Sequence, residues 1–214
     1  MDKLFSPDNP FMQLASRLTD LLILSILWTV CSVPLVTIGP ATAALYYVAM
    51  KMVQDSESGI LKAFFLSFRR NFRQGVLLTL LLCAVGVFLY WDYSIFAAQA
   101  TTAALILRTV FLILGLLFLL SVGYVFPLLS QFENSVLGTL RNALLLSVAH
   151  PIRSVLILLL NAAPFAAFLL YPGSFLRWLP AWIILAPAII AYFCSFLLYK
   201  PFTGKKIPSS KAVE

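Results

Sequence analysis

Long apolar runs separated by short basic loops leave this chain few ways to fold. Residues 18–36, 75–91, 105–129, 155–171 and 178–199 are near the length of about 20 that a helix needs to cross a bilayer. Inside hydrocarbon every backbone N–H and C=O must be satisfied within the segment, and for runs like these that means helix. Only 11% of the residues are charged and 62% are hydrophobic, whereas soluble domains carry about 25% charged residues. The predicted fold is all-α: one polytopic transmembrane helical bundle over residues 1–214, since no polar block is long enough to fold alone.

Proline sets the punctuation. Residues 1–17 are polar, contain Pro7 and Pro10, and are expected to form an interfacial arm. Pro34 ends the first run, residues 36–39 make a tight connection, and Pro40 opens a helix towards Gln54 with Gly39 or Thr37 as its cap. Two threadings are compatible with this. Residues 18–54 form either a hairpin of two short spans, giving six spans, or one broken helix, giving five. A single helix of that length would reach about 55 Å, against a hydrocarbon core of about 30 Å, which favours the hairpin with its turn at the outer side. Pro127, Pro164 and Pro187 are expected to kink three spans, tolerated where a neighbour satisfies the freed carbonyl. Trp91, Tyr93, Tyr171, Trp178, Trp182 and Tyr199 lie near span ends, as an aromatic belt requires. The first run is read as uncleaved, because Asp2, Asp8 and Asp20 against Lys3 and Arg17 make a poor signal-peptide n-region.

The net charge of +7 does not point to nucleic acid, because the cations lie in loops between apolar runs. Lys51, Lys62, Arg69, Arg70 and Arg73 occupy one loop region, Arg141 and Arg153 a second, and the basic tail 200–214 carries Lys200, Lys205, Lys206 and Lys211. The opposite loops hold only Arg108 and Arg177, so the first three are expected to be cytoplasmic, with the C-terminus inside. The lipid bilayer is the first partner implied.

A shift of 80 residues lays ILKAFFLSFRRNFRQGVLLTL over LRNALLLSVAHPIRSVLILLL, matching Ala63 with Ala143, Ser67 with Ser147 and Arg73 with Arg153. Residues 40–91 and 105–171 are therefore candidates for repeated helical hairpins, a transporter device, although Leu-rich helices also converge on such matches. Both units carry a cytoplasmic segment of amphipathic helical spacing. Leu61, Phe64, Phe65, Phe68 and Phe72 line one side of the first, with Lys62, Arg69, Arg70 and Arg73 mostly opposite. Leu137, Leu140, Leu144 and Val148 form the stripe of the second. Such helices lie on lipid headgroups or dock on a partner subunit, which makes Phe64, Phe65, Phe68, Arg69, Arg70, Phe72 and Arg73 the candidate contact residues.

No phosphate-binding loop, zinc-protease motif or paired cysteines appear, and Cys31, Cys83 and Cys194 are isolated within apolar runs. Neither a cofactor nor a metal is expected. His150, followed by Pro151, reads as a helix-end residue. No acid lies mid-span, which disfavours a proton- or ion-coupled carrier. Thr29, Thr79, Ser121, Ser130, Gln131 and Asn161 are the buried polar groups, expected to join helices and, less often, to touch a solute. Catalysis has no support here.

Three stretches carry a family resemblance. DLLILSILWTVCSVPLVTIGPATAALYYVAMKMV (20–53), FFLSFRRNFRQ (64–74) and VFPLLSQFENSVLGTLRNALLLSVAHPIRS (125–154) resemble the YesL-like family of bacterial integral membrane proteins, a family of unknown function. The motif positions are Trp28, Pro34, Thr37, Gly39, Pro40 and Asn142; the last span and tail match only in character. The resemblance implies a small multi-pass protein of the Gram-positive cell membrane whose gene neighbours encode carbohydrate ABC importers. The expected function is a non-catalytic accessory subunit of an oligosaccharide ABC import system, with its permease or other transporter subunits as partners. The alternatives are a channel or facilitator for a neutral solute, or a membrane assembly factor.

Overall fold

The computed structural model describes residues 10–54, 59–97, 99 and 101–204. Among them the chain is all-helical, without strands: α1 (Pro10–Ser32), a 3-10 turn (Leu35–Thr37), α2 (Ile38–Val53), α3 (Ile60–Ala97), α4 (Thr102–Gln131), α5 (Val136–Ala149), α6 (Pro151–Leu170) and α7 (Pro172–Gly204). Six helical segments, α1, the 3-10 turn together with α2 (Leu35–Val53), α3, α4, α6 and α7, are long and apolar enough to cross a membrane. The protein is a multi-pass helical bundle whose environment is lipid. Residues 1–9 of the expected arm, the loop acids Asp55 and Glu57, and tail residues 205–214 lie outside the described residues.

α2 is the axis of the bundle. Ala41, Ala43, Ala44 and Ala49 have no exposed surface, and α1, α3, α4 and α7 all pack on this helix. Small side chains make that possible, since helices in lipid associate through close backbone approach. A Cβ on Gly39 would collide with Gly75 O, the Thr79 hydroxyl and the Phe126 ring; one on Gly75 would meet the backbone of Pro40 at 2.7 Å. Gly39, Pro40 and Gly75 thus form one backbone-to-backbone crossing.

Four expectations change. First, α2 begins at Ile38, so Pro40 is its third residue, still within the first turn where no intrahelical N–H is required. Thr37 does not cap α2 with its side chain; its hydroxyl donates to Cys31 O (2.6 Å) and Pro34 O (2.7 Å), closing the end of α1. Second, helix starts at Pro10, within the expected polar arm.

Third, residues 60–73 are not a separate surface helix but the first part of α3, which runs unbroken for 38 residues. The reason is visible in the 80-residue register. Pro151 separates α5 from α6, whereas its counterpart Asn71 bonds back to Ser67 O (3.1 Å) and the helix continues. The faces turned inward also differ from the expected stripes. Ala63, Phe64, Ser67 and Asn71 are buried on α3, and Thr139, Ala143 and Ser147 on α5, while Leu61, Phe65, Leu137, Leu144 and Val148 are exposed. In lipid the small and polar face packs and the apolar face turns outward.

Fourth, the α1–α2 turn meets α3 near its middle, at Gly75 and Thr79, and Leu80–Ala97 continue past it against α4. Those 18 residues separate the α1–α2 turn from the α3–α4 turn by about 27 Å along α3. Along this helix the two turns do not share the common outer level expected of them.

Hydrogen bonds lock the far end. Arg70 donates to Glu133 (3.0 Å) and Gln74 to Asn134 O (2.7 Å), tying α3 to the α4–α5 turn. The Tyr124 hydroxyl meets Ser154 Oγ (2.9 Å), and Ser154 Oγ lies 2.8 Å from Ser147 O, fixing the corner at Pro151.

Candidate functional site

The sequence-expected contact residues separate into two groups. Phe64 is fully buried, with its ring stacked on Phe68 at 6.2 Å, so it belongs to the packing between α3 and the core. Phe68 is half-buried. Arg70 is engaged by Glu133; both side chains are substantially exposed, and such a pair contributes about 1 kcal/mol or less. The remaining four, Phe65, Arg69, Phe72 and Arg73, are exposed and share one helical face by their spacing of four, seven and eight residues. Lys62 extends that face by one turn. A helix side carrying three cations and two aromatic rings matches anionic headgroups or an acidic, apolar partner surface.

A second feature lies between the helices. α2, α4 and α6 border a cavity of about 540 Å³, and α1, α2, α6 and α7 another of about 340 Å³. Thr42, Tyr46 and Asn161 line both. Asn161 stands halfway along α6, where its amide donates to Ile157 O (2.8 Å) and approaches Cys194 Sγ (3.7 Å). Tyr46 lines both cavities together with Asn161, and Trp28 Nε1 donates to Thr42 Oγ1 (3.1 Å). Among the described residues, neither cavity is lined by an Asp, Glu, Lys, Arg or His. This arrangement can hold an uncharged molecule by shape and a few hydrogen bonds. Among the described residues, no cluster of His, Cys, Asp and Glu could hold a metal.

Of the motif positions, Trp28 borders the smaller cavity, Pro34 and Thr37 build the α1–α2 turn, and Gly39 and Pro40 form the α2–α3 crossing. Asn142 is half-buried on α5 and lines neither cavity. Asn161 was legible as a polar group within a span and was expected to be buried, but it is exposed, at the border of both cavities. Thr42 and Tyr46 were missed; the available signal was a hydroxyl and a phenol within an otherwise small-residue helix.

Residues 21–93, from α1 through most of α3, match the family described as Protein of unknown function, DUF624. The chain is 34% identical to the uncharacterized protein YteU of Bacillus subtilis (strain 168) over 137 residues, covering 64% of this chain and 61% of YteU. It is 29% identical to the uncharacterized protein YesL of the same strain over 144 residues, 67% of this chain and 68% of YesL. The matched region thus spans about three-fifths of YteU. No solved structure matches the chain.

Proposed function

We propose that this chain, a YesL-like multi-pass membrane protein, is a non-catalytic accessory subunit of a carbohydrate ABC import system in the bacterial cell membrane, with its C-terminus cytoplasmic. The observation that carries this reading is the exposed α3 face of Lys62, Phe65, Arg69, Phe72 and Arg73. By the loop charges this face is cytoplasmic, on the side where transporter subunits couple to their ATPases. The gene context implied by the family resemblance supplies the substrate class. Charge-free cavities support a role that leaves energy coupling to a partner. Purification in mild detergent at native expression should retrieve permease or solute-binding components in stoichiometric amounts. Arg69→Glu with Arg73→Glu should release them while the protein stays monodisperse. Recovery of the chain alone, with sugar import unchanged in a deletion strain, overturns the reading.

The cavities favour a second reading, a facilitator for a neutral solute. It requires flux through the protein alone, so reconstituted liposomes that remain impermeable to sugars exclude it. An assembly factor, in contrast, would lower the level of its partner on deletion.

A further inference from the structure

Pro127, Pro164 and Pro187, each inside a helix, border the two cavities, and they are not treated alike. Pro187 of α7, which has no N–H, deprives Ile183 O of its helical donor. α1 supplies partners here: Ser25 Oγ accepts from Ala188 N (3.1 Å), and the Thr29 hydroxyl, whose shorter contact is Ser25 O (2.9 Å), lies 3.3 Å from Ile183 O and is shared between the two carbonyls. Pro127 removes the donor from Gly123 O beside the larger cavity, and Pro164 removes it from Leu160 O beside the smaller one. Among the described residues, no group outside their own helices donates to either carbonyl. Asn161 adds a third acceptor. Its Nδ2 is engaged, but none of the described residues donates to its Oδ1, which stands exposed at mid-helix where both cavities meet.

We infer that these cavities form a binding site for an uncharged, hydroxyl-bearing lipid. The two carbonyls deprived of their i+4 donor and Asn161 Oδ1 are acceptors, and in a bilayer an acceptor without a water or protein partner costs several kcal/mol. They call for an O–H donor. No charged side chain is present to balance a phosphate or ammonium headgroup, so a phospholipid head does not fit. Beyond Asn161, Tyr46, Thr42 and the indoles of Trp28 and Trp182, the walls are Leu, Ile, Val, Phe, Pro, Ala and Gly, which match hydrocarbon. A free sugar would leave most of its hydroxyls unpaired against them. Volumes of about 540 and 340 Å³ fall in the range of ligand pockets. Phe165 and Leu119, at the margin of the larger cavity, are 73% and 52% exposed, so access is sideways from the lipid. The site is separate from the α3 face and does not depend on the transport assignment.

The test uses the full chain in phosphatidylcholine nanodiscs with Trp91→Phe and Trp178→Phe, leaving Trp28 and Trp182 on the smaller cavity. Brominated diacylglycerol should quench the remaining fluorescence saturably, and beyond the effect of brominated phosphatidylcholine at equal mole fraction. Asn161→Leu should raise the half-saturating mole fraction roughly fivefold, the loss of about one hydrogen bond. Thr42→Val is a second variant should Asn161→Leu fold poorly, with the same direction expected. Equal quenching by the two lipids overturns the proposal. So does quenching that neither variant alters, or protection of the tryptophans by maltose but not by diacylglycerol.

Discussion

At Gly75 a hydrogen does what no side chain could, because the backbone of Pro40 lies where a Cβ would go. Gly75→Ala is expected to cost about 1–3 kcal/mol through overpacking, seen as a lower melting temperature in detergent. Gly115→Ala is the matched control. Nothing lies within 4 Å of its Cβ position, so removing helical glycine entropy should be neutral or stabilising by about 0.5–1 kcal/mol. A second residue-scale test concerns Pro187. Ser25→Ala removes the acceptor for Ala188 N–H and should cost about 0.6–1.7 kcal/mol, the range for hydrogen bonds between membrane helices. In a Pro187→Ala background the helix can satisfy its own groups. The cost of Ser25→Ala should then shrink, and a double-mutant cycle measures that coupling.

Among the elements, α3 departs furthest from the sequence expectation. Its basic first third reads as a surface helix because amphipathic periodicity looks the same whether or not a helix continues beyond it. Continuity is possible because Asn71 keeps the backbone N–H that its counterpart Pro151 lacks, while its side-chain amide bonds to Ser67. The arrangement is testable with spin labels at Lys62→Cys and Val85→Cys after replacing Cys31, Cys83 and Cys194. An unbroken helix places the labels about 35 Å apart, while a right-angle bend at the interface gives about 25 Å. The inward faces of α3 and α5 were not anticipated: the apolar stripes were expected to meet lipid headgroups or a partner subunit, and the residues that pack inside include the small and polar Ala63, Ser67, Ala143 and Ser147.

For the whole molecule, the α1–α2 turn bears most directly on topology. Val33 and Leu35 are 77% and 78% exposed, and the turn VPLV carries no charge or polar side chain. A turn of this composition, set against the middle of α3, suits hydrocarbon better than water. Val36→Cys is therefore expected to resist a membrane-impermeant maleimide in intact cells, whereas Gln99→Cys in the α3–α4 turn reacts from outside. Equal rapid labelling of both would return the turn to the outer surface. The cytoplasmic assignment of the C-terminus predicts that Ser210→Cys labels only after the membrane is opened. All three measurements need the same cysteine-free background.

Composition and run length were enough to determine a multi-pass helical membrane protein, its approximate spans and the absence of acids at mid-span. Those properties depend on the cost of placing each residue in lipid, which is local to the segment. Proline positions also told where helices would need help. Which neighbour gives that help is a tertiary matter: Ser25 and Thr29 serve Pro187 across more than 150 residues of chain, while the carbonyls freed at Pro127 and Pro164 receive no partner from another described helix. The gathering of Thr42, Tyr46 and Asn161 around two cavities is of the same kind. Uncharged polar residues bear no periodic signature in a helix, and only packing shows whether they join two helices or face a space between them.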